Sequence, residues 1–336
     1  MAKPTIHDVA RLAGVSIKTV SRVTNSDGQV ATETADRVRQ AIQELGYLAS
    51  PIARSLRMGR DEAVGLIVES IGDPFFAELT EAVEEAAREA GLFLLVASAG
   101  QTPDQERAAV RGLLNRSVRG LIIVPCHLAY GTERIQSGPE KVPVVFVDRP
   151  PDDLEADVVM IDNVATARTA TEHLIAHGHR RIAFVGNEVD RYPINARIDG
   201  YRQALEQHGL AFDPALITSH HRPADASDLV ARVMAGPEAA TAVLCGSLLS
   251  ALAVVRELHR AKRTDVAMVS IDDFPVADAL NPAISVASQS PELMGRKAVD
   301  LLLGRIAGES GPPQRVVLPT TFINRGSGEI WRRLPR

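Results

Sequence analysis

The segment Thr5–Asn25, TIHDVARLAGVSIKTVSRVTN, decides how the N-terminus folds. Two short helices cross sharply only where a small residue lets the backbones approach and a polar residue restarts the second helix, and Gly14 and Ser16 supply these functions. Thr5 reads as an N-cap with Asp8 three positions on, a capping-box variant whose carboxylate also suits the positive end of a helix. Val9, Ala10 and Ala13 then share one face. Ser16 caps the second helix, Val20 and Val23 point inward, and Asn25 is a left-handed stop. Lys18, Thr19, Ser21 and Arg22 are left outward. Thr32 opens a third helix with Val38, Ala41, Ile42 and Leu45 at i, i+3, i+4 and i+7, and Gly46 ends it. The expectation is a helix-turn-helix unit of three short helices around one small core.

Charge bears on what such a unit is for. Residues 1–60 hold nine Lys and Arg against five Asp and Glu, whereas the whole chain carries a net charge of −5. A bare helical docking or dimerisation module has no need of that asymmetry, and a phosphate-binding head on an acidic body does. The segment SPIARSLR, Ser50–Arg57, follows. Ser50 is an N-cap candidate and Pro51 suits the first helical position. Only about two turns fit before Gly59, and an isolated helix shorter than about 12 residues is marginal in water. This segment is therefore either a solvated linker or a helix that folds only against a partner.

The run DVARLAGVSIKTVSRVTN resembles the signature of the lactose-repressor (LacI/GalR) family of bacterial transcription regulators. In that family the second helix enters the major groove, which implies Ile17, Lys18 and Arg22 as base-reading positions. Spacing leaves Ile17 ambiguous, because it lies three residues before Val20; the resemblance assigns it to the groove. It also implies Thr5, Ser16, Thr19, Ser21, Asn25 and Thr34 as phosphate contacts. The linker would pair with its twin in the minor groove, with Leu56 as the wedge and Ala53 and Arg54 as its groove-facing neighbours.

Beyond Asp61, apolar β-branched runs alternate with longer helical stretches: AVGLIVE, LFLLVAS, GLIIVP and VPVVFVD, then RIAFVG, ATAVLCG and VAMVSID. Alternation of this kind argues for parallel sheets with crossover helices. The expected fold is α/β: a small all-α head (1–48), a hinge (49–60), and a two-lobed, doubly wound body (61–336). Its N-lobe is about 61–161 and its C-lobe about 162–288, followed by a helix over 291–309, strands around Val316 and Phe322, and the remaining C-terminal segments. At 45% hydrophobic residues the chain can bury a sizeable core. No apolar run approaches about 18 residues and no signal-peptide pattern opens the chain, so a soluble, cytoplasmic protein without membrane contact is expected. Cys126 and Cys245 each end an apolar run and read as buried thiols.

An enzyme is the main competing class. The sequence has no G-x-G-x-x-G after a strand, no Walker A, no G-x-S-x-G and no H-E-x-x-H. His177 and His179 read as residues of a helix-to-strand turn rather than metal ligands, and His220-His221 as a loop pair. No catalytic residue, metal or cofactor is expected.

The resemblance extends through VVFVDRP, IDNVATARTATEHLIAHGHRRIAFVGN, ARIDGYRQAL, VAMVSIDDF, NPAISVASQ and LPTTFINRGS. It implies the family's effector domain, similar to periplasmic sugar-binding proteins, with ligands held at strand ends. Asp148, Arg149, Arg197 and Asp272 match ligand-holding positions, Phe75 resembles the aromatic at the cleft mouth, and Ser70 follows the first strand. Gly246-Ser247 stands where the family usually has Asn-Asp, which removes a side-chain amide. HHRPAD, His220–Asp225, replaces a frequent stacking aromatic. With Arg149 and Arg197, His221 or Arg222 would make the pocket electropositive, so a sugar acid or sugar phosphate is one expected effector and a neutral sugar the other. The resemblance implies a dimeric repressor on a pseudo-palindromic operator, with the sign of the ligand response open. A co-repressor-dependent or activating regulator, a solute-binding protein and an architectural DNA bender are the alternatives.

Overall fold

The computed structural model describes residues 4–24, 30–47, 62–100, 102–126, 142–151, 155–187, 192–219, 230–231, 234–235 and 239–331. The chain divides into two compact units, Met1–Glu62 and Ala63–Arg336. Asn25, the linker residues Ala53, Arg54 and Leu56, and His221 and Arg222 lie outside the described residues.

The first unit is built from α1 (Ile6–Ala13), α2 (Ile17–Thr24) and α3 (Thr32–Leu45). The Asp8 carboxylate accepts the Thr5 backbone N–H at 2.9 Å and the Thr5 hydroxyl at 2.6 Å, which closes the N-terminus of α1. Gly14 ends α1 at φ 65°, a left-handed backbone that costs glycine little, and the Val15 N–H returns to the Ala10 carbonyl. Val9, Ala10, Ala13, Val20, Val38 and Ala41 form the core, flanked by Val23, Ile42 and Leu45.

Among its described residues the second unit holds two six-stranded sheets. The N-lobe contains β1 (Ala63–Val68), α4 (Pro74–Glu89), β2 (Phe93–Ser98), α5 (Pro103–Leu114), β3 (Leu121–Ile123), β4 (Val144–Val147) and β5 (Asp157–Ile161). The C-lobe contains α6 (Asn163–Ala176), β6 (Ile182–Gly186), α7 (Tyr192–Gln207), β7 (Ile217–Ser219), β8 (Ala242–Cys245), α8 (Leu248–Arg260), β9 (Ala267–Ile271) and β10 (Ser285–Ser288). The chain then returns to the N-lobe through α9 (Pro291–Ile306) and β11 (Arg315–Leu318), and ends the second sheet with β12 (Thr321–Ile323). The sheet orders are β2-β1-β3-β4-β5-β11 and β7-β6-β8-β9-β10-β12. Every pairing is parallel except β12 against β10.

Central strands are buried along their whole length because helices cover both faces. Successive residues of β1 feed opposite cores: Leu66 joins Leu79, Val83, Met294 and Leu302, whereas Ile67 joins Val110, Ile123 and Phe146. In the C-lobe Val185 and Val243 face one core, and Phe184 and Leu244 the other. The 291–309 helix thus packs on the N-lobe although it follows the C-lobe in sequence, and it ends at Ile306.

Three strands escape a search for apolar runs: β5, the three-residue β7 and β10. β5 begins with Asp157, whose carboxylate is neutralised by Arg305 at 2.7 and 2.8 Å and accepts the Gln314 N–H. β10 is SVAS, and Ser285 is buried there because Ser327 and Glu329 of the C-terminal segment satisfy it. Cys245 is buried and Cys126 half-buried, and both are free thiols. His177 caps the end of α6, and the fully buried His179 bridges Thr241 and the Ile330 carbonyl in the turn before β6.

Among the described residues the chain passes between the lobes three times, at Asp162, at Gln289-Ser290 and at Pro319-Thr320. Asp162 and Ser290 cap the helices that follow, by accepting the N–H groups of Ala165 and Leu293. No helix among the described residues is long and apolar enough to cross a membrane.

Candidate functional site

On the first unit, α2 presents its polar face from a capped N-terminus: Ser16 Oγ accepts the Thr19 N–H at 3.1 Å. Lys18 and Arg22 are exposed one turn apart on that face. Arg11 and Arg39 are paired with Asp8 and Asp36, whereas Lys18 and Arg22 form no ion pair among the described residues. Ile17 is 40% exposed, so it stands outside the core that holds the fully buried Val20. Thr19 and Thr34 are half-buried.

Two of the expected phosphate contacts differ from expectation. Ser21 is buried rather than outward. It adjoins Val20 on a helix that packs on both α1 and α3, and its side chain is small enough to be covered. Thr5 donates both its N–H and its hydroxyl to Asp8, so neither is left for a phosphate while the cap holds.

On the second unit, the strand ends converge on a cavity of about 320 Å³ lined by both lobes. Ser70 and Phe75 line it, as do Asp148, Arg149, Arg197 and Asp272. A larger groove of about 850 Å³ shares Phe75, Leu248, Asp272 and Gln289 with it, but the smaller cavity is the one that gathers the strand-end residues.

Asp148 follows β4 and Asp272 follows β9, the fourth strand of each lobe in chain order. Both residues are left-handed, at φ 72° and 77°, and their N–H groups bond to Val159 and Ala287 on the neighbouring strands. Non-glycine residues held there carry strain, so each turn is fixed by its surroundings. Arg149 Nε donates to Asp148 at 3.0 Å, and Nη2 reaches Glu69 at 3.4 Å. Burial opposes the Arg149 charge, but Asp148 and Glu69 more than offset it and hold its pKa above the ordinary value.

Arg197 is buried on α7. Its Nε donates to Asn163 Oδ1 at 2.8 Å and its Nη1 to the Gly246 carbonyl at 2.6 Å, with Asp272 at 3.8 Å. The R-x-x-G-Y motif explains the placement, since a Cβ on Gly200 would lie 2.1 Å from the Val164 carbonyl oxygen. Glycine there lets α7 close on α6, whose first residue is Asn163. Burial pushes the Asp272 carboxyl upward in pKa, opposed by Arg197 and by the Gln289 amide, which donates to it at 2.6 Å.

Gly246 does not line the cavity; its carbonyl aims Arg197. A Cβ there would approach Phe184 to 2.6 Å, so the ring fills the space a side chain at 246 would need. An amide is nevertheless present at Asn187, which sequence reading passed over. Its Oδ1 accepts the hydroxyls of Ser247 and Ser250 at 2.7 and 2.9 Å, which leaves Nδ2 for the cavity it lines. Glu69, Asp73 and Gln289 were also missed, although Glu69 and Gln289 directly follow strands. Asp73 caps α4 by accepting the Phe75 N–H, and burial with Asp272, Glu69 and Asp148 nearby raises its pKa to about 6. Both arginines therefore arrive with carboxylates already beside them.

A helix-turn-helix head joined in sequence to a two-lobed body with a polar cleft defines a ligand-controlled DNA-binding regulator. Residues 5–50 match the family model for bacterial regulatory proteins of the lacI family, and residues 171–328 match a periplasmic binding protein-like domain. The chain belongs to the LacI family of bacterial transcription regulators. It is 30% identical to the ribose operon repressor of Escherichia coli (strain K12), covering 96% of this chain and 99% of the relative. It is 35% identical to the HTH-type transcriptional regulator CelR of Thermobifida fusca, covering 97% and 98%. Among solved structures, a complex of the regulator CelR with cellobiose aligns at a TM-score of 0.70 and 33% identity, over 96% of this chain and 99% of that one. A lac repressor dimer bound to operator and an anti-inducer shares the fold at a TM-score of 0.86 and 23% identity, over 97% and 99%.

Proposed function

We propose that the chain is a cytoplasmic, non-enzymatic repressor that binds a pseudo-palindromic operator as a homodimer and responds to a sugar or sugar derivative in the cleft. Residues 1–48 read DNA, 49–60 couple, and 61–336 bind the effector and dimerise. The observation that carries the ligand reading is the convergence of two buried ion pairs, Asp148–Arg149 and Arg197–Asp272, on one cavity between the lobes. Relatives named for the ribose operon and a relative bound to cellobiose support a sugar. Ile17, Lys18 and Arg22 read bases, while Ser16, Thr19, Asn25 and Thr34 hold phosphates.

Ligand in the cleft changes the angle between the lobes, and the linker Ser50–Arg57 transmits the change because a helix so short folds only against DNA and its twin. Reciprocity follows: an inducer weakens operator binding as much as operator weakens inducer binding, typically by about 1–3 kcal/mol.

Selection of bound sequences from a random DNA pool supplies the operator, and gel-shift titration then tests the assignment. Lys18→Ala should relax preference at one base pair of each half-site by about 1–3 kcal/mol. Equal loss on every sequence would make Lys18 a phosphate contact instead. Leu56→Ala should weaken operator binding strongly and leave ligand binding intact.

A further inference from the structure

Granted that the cleft is the effector site, Asn187 holds a place in it that the sequence pattern does not mark. It directly follows β6, as Asp148 follows β4 and Asp272 follows β9, so it stands at a strand end where ligands are held. It is half-buried and lines the cavity. Its amide is gripped from behind, because the Ser247 and Ser250 hydroxyls donate to Oδ1 at 2.7 and 2.9 Å. Both serines belong to the start of α8, where Ser247 caps the helix by accepting the Ser250 N–H at 3.2 Å. Ser250 is fully buried. An amide oxygen has two lone pairs, so two hydroxyls use it up and leave the donor end, Nδ2, for the cleft. The two N–H groups on Nδ2 have no partner among the described residues.

The pairing of β6 with β8 explains how an amide comes to stand here. Val185 lies opposite Cys245, and the Gly246 N–H bonds the Val185 carbonyl at 2.7 Å, so the two strands end side by side. A side chain at 246 is excluded by Phe184 of β6, whose ring lies 2.6 Å from where its Cβ would be. One strand thus closes the position at 246 with Phe184 and, three residues later, supplies an amide with Asn187. The two guanidinium groups of the cleft already serve protein oxygens, Arg149 on Asp148 and Arg197 on Asn163 and Gly246. Asn187 Nδ2 is held in place without being spent.

We propose that Asn187 is a specificity-determining residue of the effector site, its Nδ2 donating to one hydroxyl oxygen of a sugar, with Ser247 and Ser250 as positioning residues that keep the donor end turned to the ligand. A donor fixed in this way asks for an oxygen at one position of the ligand. An analogue without that oxygen leaves the amide N–H unpaired in the complex and is rejected.

Calorimetry on the full chain tests this with ribose, glucose, galactose and cellobiose, each beside its monodeoxy analogues. For a sugar that binds, Asn187→Ala should weaken affinity about tenfold, and one deoxy analogue should bind the unsubstituted chain about tenfold more weakly than its parent. That analogue alone should be indifferent to Asn187→Ala. Asn187→Asp keeps the acceptor that both serines use and removes only the donor, so it should fold as the parent chain does and lose as much affinity as Asn187→Ala. Ser250→Ala should weaken the parent sugar several-fold, and should add nothing in the Asn187→Ala background, which a merely structural serine would not do. Unchanged affinity in both Asn187 variants overturns the proposal, as does an equal loss on every deoxy analogue, which would make Asn187 a wall of the cavity. Asp272→Asn separates this failure from failure of the cleft reading. If it weakens binding and the Asn187 variants do not, the cleft stands and Asn187 falls; if none of the three matters, or no sugar binds, both fall.

Discussion

The two lobes repeat one strand order yet hold their halves of the cleft by different means. In the N-lobe, Asp148 is paired with the next residue, Arg149, whose far end reaches Glu69, and all three sit at strand ends of one sheet. In the C-lobe, Asp272 is held by Arg197 from α7 and by Gln289 from an interlobe crossover. Arg197 is itself aimed by Asn163, next to a second crossover, and by the Gly246 carbonyl. The N-lobe half is local, so it travels as one piece. The C-lobe half draws on two of the three crossovers, and any change in lobe angle reaches it first.

The largest expected effect tests that asymmetry. Arg197→Met strands Asp272 and orphans the acceptors on Asn163 and Gly246, and breaking such a buried pair costs about 3–5 kcal/mol. Arg149→Met strands the buried Asp148 but should cost less, because it orphans no carbonyl oxygen and Glu69, 31% exposed, can turn to water. Urea denaturation of the two variants checks the order. Equal losses would remove the distinction between the lobes.

Gly200→Ala comes next. The added methyl has no room against the Val164 carbonyl, so α7 must move off α6. Overpacking of this kind costs about 1–3 kcal/mol. Displacement of α7 also carries Arg197 away from Asn163, so ligand affinity should fall with stability. A variant that loses stability but keeps its affinity would show that Arg197 is aimed by Gly246 alone.

Acid titration gives a smaller effect. The Asp73 carboxyl has a pKa of about 6 in the folded chain and an ordinary value of 3.8. The folded state therefore binds more protons between those values, and stability from this group falls as pH rises from about 4 to about 6. The groups responsible, after burial itself, are Asp272, Glu69 and Asp148, with the Phe75 N–H acting the other way. Asp73→Asn should flatten that part of a melting-temperature profile.

The same contrast between local and distributed structure explains what the sequence disclosed. Gly14, Ser16 and the Thr5–Asp8 cap act within a few residues, and the helix-turn-helix was readable from them. Ser21 was misplaced because its burial depends on how α2 crosses two other helices. Asp148, Arg149, Arg197 and Asp272 were accessible through family resemblance, and the cavity gathers all four. Asn187, Asp73 and Gln289 were not, since their roles depend on which strand ends face one another across the lobes. β10 was hidden for a similar reason: the partners of Ser285 lie more than 40 residues away, at Ser327 and Glu329.

The smallest expected effect concerns the crossovers themselves. Thr166 Oγ1 donates to the Asp162 carbonyl at 2.7 Å, so its 3.1 Å contact with Thr320 Oγ1 must use the Thr320 proton. That bond ties the first crossover to the third without touching the cavity lining. Thr320→Val removes it at nearly constant volume, and a single hydrogen bond contributes about 0.5–1.5 kcal/mol. A modest drop in melting temperature with ligand affinity unchanged would mean that the tie supports the fold and leaves the lobe angle to the ligand. A clear shift in affinity with little loss of stability would instead place the tie among the determinants of lobe angle. The distributed C-lobe half should then respond: combined with Arg197→Lys, Thr320→Val should be non-additive in ligand binding, whereas combined with Arg149→Lys it should be additive.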